Sequence, residues 1–476
     1  MTDDLRSELG RLVRQLARES DDQLEPITGL LQEHLGEGAS ELPVLIEELH
    51  AWDLPNLQLA FDAMLSRPGW ESRVVGLAGQ AMHYHGLGLG DLLSGAGWVP
   101  GIGAAQYVNA PVGPGESMPC LAFAVLLVRS PEGPLALFVR RTDVHGFGQP
   151  SLAIEAATPG AGIAEGFFRE LRSFMDERDV YRGQVLTVKM SPQGGGEIVF
   201  LERPALGRDE LVLPEGVLER IELHILGPSR HRERLAAGGR HLARGLLLWG
   251  APGTGKTHTV RYLAGLADGA TVVILSGGTL GMVGAFAHLA KRLEPSLLVL
   301  EDVDLVAQER TFGPYGSSPV LYELMNQMDG LGDDADVAFI LTTNRPDALE
   351  PALAARPGRV DLAVELPLPD DDGRRRLLAL YGRGLELETD DLDGVIRRTN
   401  GVTASFVKEL LRRAVLTSAV EGRSQVTNAD LTGVLDDLLT ERSALTRLLL
   451  GGERREVPAT PSPHAWLEQE LDLGDA

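Results

Sequence analysis

Apolar positions along the chain change their period several times, and each change predicts a different kind of structure. From about residue 3 to 66 they recur at three- and four-residue steps: Leu5, Leu9, Leu12, Val13 and Leu16, then Leu30, Leu31 and Leu35, then Leu42, Leu45, Ile46 and Leu49. Such steps give each helix one buried stripe. Pro26, Pro43, Pro55 and Pro68 cut the stretch into short helices, so residues 1–70 read as a helical region. From 71 to about 118 no period survives among many glycines and prolines, and the stretch reads as irregular loop. Strand patterns follow at 121–129 and 135–140 around Ser130-Pro-Glu-Gly-Pro134, a helical period at 164–177, and a second hairpin at 184–190 and 197–201. Together these predict an α+β domain over 71–210, suited to engaging a client or partner. Beyond it, short apolar runs at 246–249, 271–275, 297–300 and 337–342 alternate with helical stretches, the signature of an α/β domain.

Charge and cysteine usage narrow the function classes. The chain has 476 residues and a formal net charge of −24, from 68 Asp+Glu against 44 Lys+Arg. That balance argues against a broad nucleic-acid footprint or an anionic membrane surface. Cys120 is the only cysteine, which excludes disulfides within the chain and cysteine-based metal sites and fits a reducing cytoplasm. The acidic N-terminus lacks a signal-peptide pattern, and the apolar run 120–128 is too short to span a bilayer as a helix. His83 and His85 have no evident third ligand and read as surface histidines, and Arg140, Arg141, Asp143 and His145 read as a solvated loop.

Chemistry concentrates at Gly250-Ala251-Pro252-Gly253-Thr254-Gly255-Lys256-Thr257, which fits G-x-x-x-x-G-K-[ST] at every fixed position. A polyphosphate is bound by backbone N–H groups turned inward, so glycines at 250, 253 and 255 supply unusual φ/ψ and close approach. Lys256 offers a point charge to the β- and γ-phosphates, and the Thr257 hydroxyl suits a Mg²⁺ ion. A buried strand leads in, and a helix beginning at His258 leads out with its N-terminus toward the phosphates. Downstream, Leu297-Leu298-Val299-Leu300 runs straight into Glu301-Asp302-Val303-Asp304, so that a buried strand delivers carboxylates to its C-terminal edge. A further strand ends at Thr343-Asn344.

Asn344-Arg345-Pro346-Asp347, followed by Arg356-Pro357-Gly358-Arg359-Val360-Asp361, is similar to the second region of homology of AAA ATPases in the narrow sense. With the phosphate loop and the acidic strand end, the resemblance covers roughly residues 215 to 435. It implies a P-loop α/β fold, a doubly wound parallel sheet over 211–366 with an α-helical lid over 367–445, preceded by the helical region and the α+β domain. Residues 446–476 form an acidic tail expected to be disordered. The resemblance implies ATP and Mg²⁺ as cofactors, with residues 250–257 and His258 on the nucleotide and Thr257 and Glu301 on the metal. Asn344 matches the polar sensor of the attacking water, and Arg356 and Arg359 match paired fingers that reach a neighbouring subunit's ATP. Fingers of that kind contribute roughly 10³–10⁵ in rate, and their use in trans implies a homo-oligomer, by family expectation a hexamer. Ala404 and Ser405 occupy the place where relatives carry a Gly-Ala pair near the adenine.

Two departures bear on mechanism. The usual acid pair is Asp then Glu, whereas here Glu301 takes the metal position and Asp302 that of the general base. Asp is one methylene shorter, so hydrolysis is expected to be slow or its water differently placed. Where relatives carry an aromatic pore-loop residue, Gly281-Met282-Val283-Gly284 offers Met282, a flexible and polarisable grip. The expectation is a cytoplasmic, ring-forming ATPase that remodels an unidentified protein client. The alternative is a slow nucleotide-dependent switch or assembly scaffold. A nucleic-acid translocase is weakened by the acidic charge.

Overall fold

Seven antiparallel strands make the N-terminal sheet: β1 (Val44–His50), β2 (Glu71–Ala78), β3 (Gly101–Gly103), β4 (Gln106–Gly113), β5 (Glu116–Ser130), β6 (Gly133–Thr142) and β7 (Ser151–Ala157). Their order is β1-β7-β6-β5-β2-β3, with β4 also paired to β5. The computed structural model describes residues 26–78, 87–95, 100–142, 151–190, 196–307, 319–330, 332, 334–347, 360–388 and 391–440. The nearly unbroken apolar run of β5 is explained by helices on both faces. Ala124, Leu126 and Val128 enter one core, with Phe61 and Phe168 of helices Leu54–Leu65 and Ile163–Glu177. Val125 and Leu127 enter the other, with Leu31 and Leu92 of helices Ile27–Leu35 and Leu89–Ser94. Alternate side chains of a strand face opposite ways, so each layer is filled by every second residue.

Three expectations are corrected here. Residues 44–50 are a strand rather than a helix, paired with β7 from Val44↔Ala157 to His50↔Ser151. Seven residues cannot separate a period of 3.6 from one of 2, and long-range pairing decides; Leu45 and Ile46, expected in a buried stripe, are exposed on an end strand of the sheet. Residues 26–70 are thus part of this two-sided domain rather than a separate helical region. Residues 71–118 are not an irregular loop, since they hold β2, β3, β4, the start of β5 and the helix Leu89–Ser94. Their glycines include a place where backbones meet: Gly76 pairs with Gly103, and a Cβ on Gly76 would stand 2.0 Å from the Ala104 carbonyl carbon. His83, His85, Asp143, His145 and the tail 446–476 lie outside the described residues.

The third correction concerns the hairpin β8 (Val185–Met190) and β9 (Gly196–Leu201), expected within the N-terminal domain. It extends the second sheet instead, through parallel pairing of Val185, Leu186 and Thr187 with residues of β11 (Thr271–Ser276). That sheet also contains β10 (Arg244–Trp249), β12 (Ser296–Glu301), β13 (Val337–Thr343) and β14 (Leu362–Glu365), in the order β14-β10-β13-β12-β11-β8-β9. β11, β12 and β13 are parallel neighbours and almost entirely buried, as their short apolar runs require. The buried Arg244 donates to Asp336 Oδ1 at 2.8 Å, to Ser229 Oγ at 2.7 Å and to the Ile225 and Leu242 carbonyls.

The chain divides into two compact units. The first, drawn from 1–208, 219–248 and 257–364, holds both sheets, and charged residues fasten them together. Arg292, ending helix Val283–Arg292, lies 2.8 Å from Asp53 and 2.9 Å from Asp179. Arg182 donates to the carbonyls of Arg292 and Glu294, while Trp52 packs on Phe286 of the same helix. Arg203 donates to the carbonyls of Ala264, Ala267, Ala270 and Gly183, tying the segment after β9 to the end of helix Lys256–Leu266. Cations at helix C-termini satisfy orphan carbonyls and oppose the helix dipole.

The second unit, drawn from 209–218, 249–256 and 365–476, holds four helices and a two-stranded parallel sheet of Glu386–Glu388 with Gln425–Thr427 among its described residues. Helices Asp371–Tyr381, Leu392–Arg398, Ala404–Val420 and Asn428–Thr440 share a core containing Leu377, Ile396, Phe406, Leu410 and Leu435. Asp370, Asp391 and Thr403 cap three of them by accepting from backbone amides. Among the described residues, no helix is long and apolar enough to cross a membrane.

Two measurements check the packing. Arg244→Ala leaves the buried Asp336 carboxyl with the Ser229 hydroxyl but without its guanidinium partner, so the unfolding free energy should fall by about 3–5 kcal/mol, read from the denaturant midpoint. Cys120 is fully buried and burial pushes its thiol up to about 11. It should therefore resist alkylation at pH 8 in the folded protein and react once denaturant unfolds the chain.

Candidate active site

Leu246, Leu247 and Leu248 of β10 are buried, and the chain then turns through the phosphate loop into helix Lys256–Leu266. Gly250, Gly253 and Gly255 have φ of 153°, 82° and 106°, values that L side chains rarely adopt. Lys256 is buried, and its Nζ donates to the carbonyls of Gly250 at 2.9 Å and Ala251 at 3.1 Å, which holds the ammonium inside the turn of the loop. The Thr254 hydroxyl braces the loop by donating to Ala251 O at 2.9 Å. Residues far along the chain bond to the loop and to its flank: Ser405 N donates to Gly253 O at 3.2 Å, and Leu366 N to Trp249 O at 2.8 Å. A Cβ at Gly250 would stand 2.4 Å from Leu366 O, and one at Gly253 would stand 2.8 Å from Ser405 Oγ. The glycines are therefore required by neighbours as well as by φ.

β12 carries its carboxylates to a buried strand end. Glu301 has a raised pKa, first because burial disfavours its charge and further because Asp302 is close, while a hydrogen bond with the Thr257 hydroxyl and the charge of Arg261 oppose the rise. Its Oε1 is buried with no hydrogen-bond partner. A buried carboxylate oxygen lacking a protein partner, on a carboxyl bonded to a hydroxyl, is an oxygen donor set that fits Mg²⁺. Asp302 follows at φ 51°, and Asn344 Nδ2 lies 3.4 Å from its Oδ1.

The structure thus joins Thr257 with Glu301, and Asp302 with Asn344. Ala251 and His258 are half-buried, Pro252 is exposed, and no described contact gives His258 a role. Arg356 and Arg359 lie outside the described residues. Sequence patterns miss two contributors. Asp304 stands at the end of the acidic run with no role of its own there, yet its buried carboxylate holds Thr343 and Asn344. Ser405, expected beside the adenine, binds the phosphate loop; its place beside Thr403, a helix cap, is the available signal. Met282 ends the turn Gly277–Met282 and lies against the hairpin, for a Cβ on Gly196 would meet its Cε at 2.7 Å.

The family described as ATPase family associated with various cellular activities (AAA) matches residues 246–368. A proteasome-activating nucleotidase of Pyrococcus horikoshii is 30% identical over 291 residues, 58% of this chain and 72% of that protein. The chain belongs to the AAA ATPase family. Among its other AAA relatives, the ATP-dependent zinc metalloprotease FtsH of Thermus thermophilus is 32% identical over 271 residues, covering 54% of this chain and 43% of that protein. FtsH of Mycobacterium tuberculosis is 35% identical over 236 residues, 47% and 30% respectively. The chain spans half or less of the length of these two FtsH proteins. For this AAA protein the fit of the loop glycines is testable. Gly250→Ala should cost about 1–3 kcal/mol of stability and weaken ATP binding, measured as a lower melting temperature and a smaller shift on adding ATP with Mg²⁺.

Proposed function

We propose that this AAA protein hydrolyses ATP in the cytoplasm as a homo-oligomeric ring, by family expectation a hexamer, and uses the cycle to remodel a protein client. The observation that carries the reading is the placement of the Thr257 hydroxyl against Glu301 and of the Asn344 side chain within 3.4 Å of Asp302. The loop 250–257 binds the triphosphate through its backbone and Lys256, with His258 at the start of the following helix. Thr257 and Glu301 would hold Mg²⁺, which when bound would neutralise charge on the phosphoryl oxygens. Asp302 takes the proton of the attacking water and Asn344 orients that water. Arg356 and Arg359 act on the ATP of an adjoining subunit. The N-terminal domain recruits the client.

One observation favours a second reading, a slow nucleotide-dependent switch or scaffold. Met282, the residue at the pore-loop position, packs on Gly196 of its own chain. The short Asp302 base points the same way.

Steady-state turnover of the full-length protein, followed against protein concentration, separates the readings. A specific rate that rises with concentration indicates sites completed between subunits. Tight ATP binding with very slow turnover at every concentration indicates the switch. Lys256→Ala should abolish nucleotide binding. Arg359→Ala should leave binding intact and lower turnover about 10³-fold or more, and retained turnover would sink the finger assignment.

A further inference from the structure

The ends of β12 and β13 are laced together beyond their last ladder pair, Leu300↔Leu341. Asp302 N donates to Thr342 Oγ1 at 3.0 Å and Val303 N to Thr342 O at 3.0 Å. Thr343 Oγ1 donates to Asp304 Oδ1 at 2.9 Å, and Asn344 N donates to the same oxygen at 3.2 Å. Thr342, Thr343 and Asp304 are all buried, with exposures of 1%, 0% and 4%.

The lacing constrains the residues on either side of it. Asp302 is the only non-glycine residue with positive φ among those described, a conformation that costs about 1–3 kcal/mol and persists only when its surroundings enforce it. The bond from its amide to Thr342 supplies part of that enforcement. Asn344 is held by its backbone to Asp304, whereas its side chain reaches Asp302 only at 3.4 Å, beyond ordinary hydrogen-bond length. The spacing of Asp302 and Asn344 is therefore set by the lacing and not by their own contact.

We propose that Asp304 is a positioning residue for hydrolysis, its buried Oδ1 holding the Thr343 hydroxyl and the Asn344 amide so that the Asn344 side chain stands opposite Asp302. The inference rests on the assignment of Asp302 and Asn344 to the attacking water. Asp304 acts only through them. Both bonds end on one oxygen, so the requirement is an acceptor in a fixed place rather than a charge. Asparagine supplies that acceptor and alanine does not.

The test compares kcat at saturating ATP with the Kd for ATP and Mg²⁺ in full-length Asp304→Ala, Asp304→Asn, Thr343→Val and Asp302→Asn. Misplacement on the scale of 1 Å costs about 10²-fold, so Asp304→Ala should lose about 10² in kcat while its Kd stays within about threefold. Asp304→Asn should recover to within about tenfold of the parent, and Thr343→Val should fall between. If Asp304→Ala does not fold, Thr343→Val decides, a lowered kcat at unchanged Kd supporting the proposal and an unchanged kcat overturning it. Parent-like kcat in Asp304→Ala overturns it, as does an Asp304→Asn variant as impaired as the alanine. Asp302→Asn separates the two levels. Inactive, with Asp304→Ala unaffected, it overturns the positioning role alone; active at the parent rate, it overturns the assignment of the base and the proposal with it.

Discussion

A carboxylate carried to the end of a buried strand loses its water, and the surrounding chain must replace it. Glu301 is in that position: burial raises its pKa, the Thr257 hydroxyl hydrogen-bonds its carboxyl, and its Oε1 is left without a protein partner. The next residue turns through positive φ, and its amide is taken by Thr342. Asp304 then binds back to Thr343 and Asn344. Asp302 and Asn344 are thus placed by the same few bonds between the ends of β12 and β13, while Glu301 is paired with Ser276 of β11.

The turn Gly277–Met282 is followed by a helix that is held at several points along its length. Helix Val283–Arg292 follows that turn and leads directly into β12. Its C-terminal carbonyls are held by Arg182, its terminal arginine by Asp53 and Asp179, and its Phe286 by Trp52. The N-terminal domain is thus fastened to the helix that precedes the acidic strand, with β8 and β9 extending the sheet beyond β11 and Met282 resting on Gly196.

Local patterns made much of the ATPase core legible. The apolar runs at 246–249, 271–275, 297–300 and 337–342 became β10 to β13 with ends shifted by one or two residues, because a strand buried on both faces has few alternatives to a short apolar run. The glycines of the phosphate loop were legible because their φ values admit little else. The N-terminal domain was less so. Leu45, Ile46 and Leu49 fit a helix as well as a strand until β7 is brought beside them, and the glycines of 71–118 looked like loop because the backbone they approach is distant in sequence from Gly76.

What the sequence by itself determined is the set of chemical capacities on offer, side chains and short spacings suited to a triphosphate, a divalent cation and a proton acceptor, since those belong to residue types and local spacing. What only the tertiary structure decided is what constrains them. The hairpin 185–201 joined the ATPase sheet because β11 offered parallel hydrogen bonds and its apolar side chains a place to bury. Asp304 became a holder of Asn344, and Ser405 a holder of Gly253, because folding brings those distant positions within hydrogen-bond reach. Hydrogen bonds between residues 40 or 152 positions apart leave no periodic trace in a chain, so that layer is written only in the fold.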